Sequence, residues 1–276
     1  MSSPQLKPKV FYSKIISPEK LAEIANLLND DFHQGKIGIK INIGNKKEKN
    51  DINPEFYRPL VNYFQGTVID SNSLYISAEK NINEFSKYFK TELLDINSPD
   101  EEIEIKNGKI LTKTYVGQNL QKFDSFIIIS NFFDTKELGI GAISELALGL
   151  SSKKGKTLQL TGGKTSDFSE IKSKKCENKI FKETSAEVAL NIYNYIKRNV
   201  IFINILGKLN SNKSENIGIF ASVDPVALDK ASFDFVYYAK NNDMIKRMED
   251  LDEKYLIDCG EKMGLGKTDY ELIMIS

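Results

Sequence analysis

The sequence is poor in the residues on which most metal and redox chemistry depends. Of 276 residues only two are cysteines, Cys176 and Cys259, far apart and without a CxxC spacing. That argues against a disulfide framework and against a cysteine metal cluster. There is one histidine, His33, so a multi-histidine metal site is excluded, as is any Ser/His/Asp triad not built on it. At the end of an expected helix, His33 reads as a surface residue. No stretch approaches the ~18 consecutive apolar residues of a membrane helix. The opening MSSPQLKPKV also lacks the apolar core of a signal peptide, so a cytoplasmic protein is expected. An excess of one charge is missing too. Lys and Arg (38) balance Asp and Glu (38), leaving no field to draw the chain to nucleic acid or a membrane.

What is present is an ordinary globular composition, 41% hydrophobic and 28% charged, in a chain long enough for a substantial core. Short β-branched runs alternate with helical spacings. Strands are expected at 9–15, 37–43, 66–70, 125–130, 157–160 (TLQL), 200–206, 217–221 and near 271–275. Helices are expected at 18–33, 53–64, 78–89, 140–149 and 184–198, with two more between the last two strands. The first has Ser17 as N-cap, Pro18 at its first position and Leu21, Ile24, Ala25 and Leu28 on one face. EEIEIKNGKILTKTYV reads as an antiparallel β-hairpin near 102–116, turning on a type I′ Asn107-Gly108 pair. The polar tract 161–182 reads as a long mobile loop. Together these predict an α/β fold with a mixed, mostly parallel sheet flanked by helices, in a single domain over 1–276.

Ligands of open α/β sheets gather at the carboxyl ends of strands. The residues there are Lys40 and Asn42 on one side of a strand whose other side is Ile39, Ile41 and Ile43, then Asp70, Ser71 and Asn72, then Ser130 and Asn131, then Ser222 and Asp224. Oxygen-rich groups beside one amine suit a polar small molecule or a hard cation. Each has a bland reading as well. Asp70, Ser71 and Asn72 are good Asx-turn formers. Asp224 before Pro225 is a strong helix N-cap, and capping alone would account for it. Asp229 is harder to place. At about 100° per residue from Pro225 it falls between Phe233 and Val236, away from the polar stripe of Lys230, Asp234 and Tyr237. It is expected either as a buried hydrogen-bond hub or as a carboxylate facing a pocket, because an unpartnered buried charge would cost several kcal/mol.

Two glycine-rich stretches fall short of a phosphate loop. GLGKT (264–268) has Glu261 where GxxxxGK[ST] needs glycine, and LTGGKTS (160–166) is incomplete. No base stands near either cysteine in sequence, and Cys259, beside Tyr255 and Leu256, reads as a buried inert thiol.

The stretches IGIKINIGN (37–45), NPEFYRPLVNYF (53–64), VIDSNSLY (68–75), IGIFASVDPVALDKASFDFV (217–236) and MGLGKTDYELIMI (263–275) resemble, in order, the domain of unknown function 362 family. The resemblance implies that long members carry a ferredoxin-type iron–sulfur module. The corresponding tract here, around 161–182, holds Cys176 alone, so an iron–sulfur cluster does not carry over. Family histidines are replaced near Asn131, Thr135 and Leu160, and the cysteines before the IGIFAS strand are absent. Lys40, Asp70, Asn72, Asp224 and Asp229 match polar positions of the family's motifs.

The expectation is therefore a polar pocket formed by Lys40, Asn42, Asp70, Asn72, Asp224 and Asp229, binding a small polar or anionic ligand with or without a divalent cation. Were it an enzyme, Lys40 would stabilise charge and Asp229 or Asp70 would act as acid or base. The alternative is a non-catalytic scaffold or partner-binding protein that has lost the iron–sulfur module, with 161–182 as a contact surface.

Overall fold

A computed structural model describes residues 6–32, 35–41, 53–72, 74, 79–95, 100–132, 139–207 and 216–276. His33 and Asn42 lie outside them. In chain order the first elements are β1 (Lys9–Ser13), α1 (Pro18–Asn26), β2 (Ile37–Ile41), α2 (Arg58–Phe64), β3 (Thr67–Asp70), α3 (Glu79–Phe85) and β4 (Thr91–Leu93). Next come β5 (Asp100–Glu104), β6 (Lys113–Gly117), β7 (Ser125–Asn131), α4 (Ala142–Ser144) running into a π turn (Glu145–Gly149), α5 (Lys153–Thr161) and α6 (Ile171–Lys174). The last are α7 (Asn178–Tyr195), β8 (Val200–Leu206), β9 (Gly218–Ser222), α8 (Pro225–Tyr238), α9 (Asn242–Asp250), α10 (Glu253–Met263) and β10 (Glu271–Met274).

Eight strands form one sheet in the order β10-β1-β9-β8-β7-β2-β3-β4, and β5 and β6 pair separately. In the large sheet β9 runs antiparallel to both neighbours, and the other pairings are parallel. The sheet is covered on both faces, which is why its central strands are apolar throughout rather than alternating. Ile39, Ile41, Ile127, Ile129, Ile201 and Ile203 pack on one face with Leu21 and Ile24 of α1 and Leu60 of α2. Phe126, Ile128, Phe202 and Phe220 pack on the other with residues of α4, α7, α8 and α10. Complete burial of one such side chain stabilises by roughly 1.5–3 kcal/mol, so the register Lys40↔Ile128↔Phe202 is strongly held. It places Lys40 on the phenylalanine face.

The structure corrects four expectations. TLQL (157–160) lies within α5, where Ser152 caps the start and Gly162, in the left-handed region at φ 60°, ends it. Thr157 and Thr161 fold their hydroxyls back onto Lys153 O and Thr157 O, which reconciles β-branched residues with the helix. The tract 161–182 is not a loop: it carries a 3₁₀ turn at Phe168–Glu170, α6 and the start of α7. Leu160, Ile171, Cys176 and Phe181 bury one another there. The 140–149 helix is only a turn of α-helix followed by the π turn. Finally, the hairpin pairs as expected, with Glu104 opposite Lys113, but it does not turn on a type I′ pair. Asn107 has φ 59° while Gly108 does not share the positive φ that such a turn needs. The Glu187 carboxylate on α7 instead accepts from the N–H groups of Lys109, Ile110 and Leu111 and shapes a longer connection.

Candidate functional site

At the carboxyl ends of β2 and β3 the Lys40 ammonium, 2% exposed, bridges two carboxylates. Its Nζ lies 3.0 Å from Asp70 Oδ1 and 3.2 Å from Glu145 Oε2. Burial pulls the amine's pKa down, but Asp70 and Glu145 more than offset it and hold the group above the ordinary lysine value. Glu145 opens the π turn, and Gly149 closes it against the same amine. A Cβ at Gly149 would stand 2.6 Å from Glu145 Oε2 and 3.1 Å from Lys40 Cε, so glycine lets that turn approach. π turns often mark functional sites.

A second buried amine joins from α5. Lys156 Nζ donates to Ser71 Oγ at 2.7 Å and to Asn72 O at 2.5 Å. Ser71 Oγ in turn donates to Gly149 O at 2.8 Å, tying the turn after β3 to the π turn. Asn72 is anchored by its N–H on Asp95 Oδ1 at 2.9 Å. Burial brings the Lys156 pKa down to about 8, against the pull of Asp95 and Asp70 and helped by the charge on Lys40. Burial also raises Asp95 above the usual carboxylate range. Lys40, Asp70, Asn72, Ser71, Asp95, Glu145 and Lys156 thus form one cluster.

Asp229 belongs to a different cluster. Its carboxylate accepts from Ala142 N at 2.7 Å, Ile143 N at 2.9 Å and Asn204 Nδ2 at 2.7 Å. Gly141 N donates to Ser130 Oγ and Ile140 N to Glu253 Oε1, whose other partner is Lys182 Nζ at 2.9 Å. Four consecutive backbone donors are therefore met by the side chains of Glu253 on α10, Ser130 on β7 and Asp229 on α8. Gly141 is required there: its φ is 92°, and a Cβ would come within 2.4 Å of Asp229 Oδ1. Burial lifts the Asp229 carboxyl to about 7, opposed by the Ile143, Asn204 and Ala142 donors and reinforced by the negative charge of Glu253. Of the two readings open for Asp229, this is the hydrogen-bond hub. The carboxylate touches neither Lys40 nor Asp70; the short helix and π turn 142–149 connect the two clusters.

Asp224 lies elsewhere. Because β9 is antiparallel, Ser222 pairs with Phe202 and the chain leaves toward the start of β8, away from the carboxyl ends of the parallel strands. Its Oδ1 caps α8 through Val226 N and Ala227 N, and its Oδ2 accepts from Lys267 N. Of the expected residues, then, the structure unites Lys40, Asp70 and Asn72 and separates Asp224 and Asp229. Asn42 falls outside the described residues. Sequence reasoning missed Glu145, Asp95 and Lys156. Glu145 had a signal, as the one charge in AISELALGL, and Asn204 had the same kind of signal in VIFINIL. Lys156 had none, since its segment was read as a strand.

Among the described residues no group of three His, Cys, Asp or Glu side chains is placed to hold a metal ion. Among the described residues, likewise, no helix is long and apolar enough to cross a membrane. The family model described as Domain of unknown function (DUF362) matches residues 37–234, a span that includes every member of the Lys40 cluster. No curated protein matches the chain. Among solved structures, the lactate racemase apoprotein from Thermoanaerobacterium thermosaccharolyticum is similar at 9% identity and a TM-score of 0.45. The match covers 84% of this chain and 58% of that one, and a likeness at this level carries no functional meaning.

Proposed function

The chain belongs to the domain of unknown function 362 family, and on that premise we propose that it binds a small polar molecule at the carboxyl ends of β2 and β3. One observation carries the reading: two amines, each almost fully buried, converge on a π turn at strand ends, and they have unlike partners. A fold that needed only packing there would fill the space with apolar side chains at lower cost in desolvation.

The charge balance narrows the ligand. Lys40 and Lys156 stand against Asp70, Asp95 and Glu145, so carboxylates outnumber amines before any ligand enters. A neutral, hydroxylated or carbonyl-bearing molecule suits such surroundings better than an anion. Lys40 already bridges Asp70 and Glu145, so the reading needs no divalent cation between them.

Thermal-shift and calorimetric titrations with small polyols, hydroxy acids and divalent cations test the reading. The expected result is stabilisation by neutral polyols, weaker stabilisation by hydroxy acids, and loss of both in a folded Lys40→Met variant. The second reading is a non-catalytic, partner-binding protein, favoured by the way Lys40, Asp229 and Glu253 are all met from within the fold. Native mass spectrometry showing a stable protein complex, with no small-molecule response in the titrations, would decide for it.

A further inference from the structure

Lys40 and Lys156 reach the same strand ends but are partnered for different protonation states. Lys40 faces two carboxylates, which an ammonium requires. Among the described residues neither hydrogen-bond partner of Lys156 is a carboxylate: they are a hydroxyl and a carbonyl oxygen. The Ser71 hydroxyl has committed its own proton to Gly149 O, so toward Lys156 it can only accept. A neutral primary amine has two N–H bonds and one lone pair. Two acceptors take the two N–H bonds and leave the lone pair unspent. An ammonium in the same place would bury a third N–H for which the described residues show no partner. Burial and a neighbouring cation are two devices by which lysine is made a nucleophile near neutral pH, and Lys156 has both, against the pull of Asp95, Asp70 and Glu145.

We propose that Lys156 is a carbonyl-reactive amine, and that the molecule taken at this site is a small hydroxylated aldehyde or ketone held as an imine on Nζ. The proposal rests on reading the cluster as a ligand site and names the class of ligand. The Nζ lone pair forms a C–N bond to the carbonyl carbon as the π pair of the C=O moves to oxygen, giving a carbinolamine. The C–O bond then breaks and a C=N bond forms. The carbonyl oxygen departs as water with both former amine protons, so no oxidant, reductant or further reactant is consumed. Ser71 Oγ, in direct contact with Nζ, can relay those protons once its hydroxyl turns from Gly149 O to the departing oxygen, while the Asp95 charge acts on Nζ through space. Lys40 stays charged and keeps a cation beside the amine.

The test uses the full chain with glycolaldehyde and sodium cyanoborohydride at pH 7, followed by peptide mapping by mass spectrometry. Exposed lysines such as Lys14 and Lys240 serve as internal standards, so no variant has to fold for the comparison to be read. Lys156 is expected to be alkylated at least about tenfold faster than either, because a larger fraction of it is unprotonated. Its rate should also rise with a midpoint near pH 8. A Ser71→Ala variant should keep the fold and slow the labelling of Lys156 alone. Labelling of Lys156 no faster than that of Lys14 overturns the proposal. Glycerol, which has hydroxyls but no carbonyl, then separates the two failures. Stabilisation by glycerol without labelling leaves the ligand site standing and removes only the imine; absence of both removes the site as well.

Discussion

At the ends of β7 and β8, Asp229 and Glu253 give their oxygens to the backbone N–H groups of residues 140, 142 and 143. At the ends of β2 and β3, Asp70 and Glu145 give theirs to a side-chain amine. The first arrangement fixes the start of a helix. Its acceptors are bound to main chain that cannot leave without unwinding the turn, so those carboxylates are committed to structure. In the second, Asp70 Oδ1 also accepts from Ser71 N at 2.8 Å, but Lys40 meets Asp70 and Glu145 side chain against side chain, and a ligand can re-partner that ion pair by small rotations. Buried carboxylates of the same kind, in neighbouring parts of one sheet, thus divide into scaffold and candidate chemistry according to what they bind. The short helix and π turn 142–149 belong to both, held by Asp229 at one end and presenting Glu145 to Lys40 at the other.

Four measurements break or sharpen that contrast. The largest effect is expected from Lys40→Met, which leaves Asp70 and Glu145 buried without their shared cation; urea unfolding should show a loss of ~3–5 kcal/mol. Next is the pH dependence, where Asp229 and Lys156 have opposite signs. Asp229 has a folded pKa of about 7, above its ordinary value of 3.8. Between those values the folded state therefore holds a proton that the unfolded state releases. Stability should fall as pH rises through that window, by up to ~1.4 kcal/mol per unit, and Asp229→Asn should flatten the limb. Lys156 has a folded pKa of about 8, below its ordinary value of 10.5, so the unfolded state holds the extra proton there. Its contribution makes stability rise with pH across that interval, and Lys156→Met should remove the rise. A smaller change is expected from Asp224→Ala. Loss of a helix cap costs about 1 kcal/mol, while polyol binding should be untouched, because Asp224 lies off the strand ends that carry the candidate site. The smallest is the cost of Lys156→Met itself at neutral pH, under ~1 kcal/mol, since exchanging a buried amine for an apolar chain of similar length relieves desolvation. A loss as large as that of Lys40→Met would show that Lys156 is a structural ion rather than a free amine.

Much of the fold was legible in the sequence. The Ile-rich runs at 37–41, 125–131 and 200–206 are strands, Ser17-Pro18 and Asp224-Pro225 start helices, and residues near 102–116 pair as a hairpin. Local signals of this kind do not depend on distant partners. Part of the candidate cluster was legible for a related reason: Lys40, Asp70 and Asn72 stand at strand ends, and parallel strands align their ends. Asp224 was misplaced because nothing local reveals that β9 runs against its neighbours. Lys156 was missed because the adjoining TLQL (157–160) fits a strand as well as a helix, and packing decided between them.

What the sequence determined by itself is the set of elements, the apolar interior of the sheet and the burial of polar residues that interrupt it, because periodicity and capping act within a few residues. What only the tertiary structure decided is which of those polar residues meet. Strand direction, the π turn at Glu145–Gly149 and the docking of α5 select Lys40, Asp70, Glu145 and Lys156 from distant parts of the chain. Charges interact through space at a few ångströms, and spacing along the chain does not encode that distance.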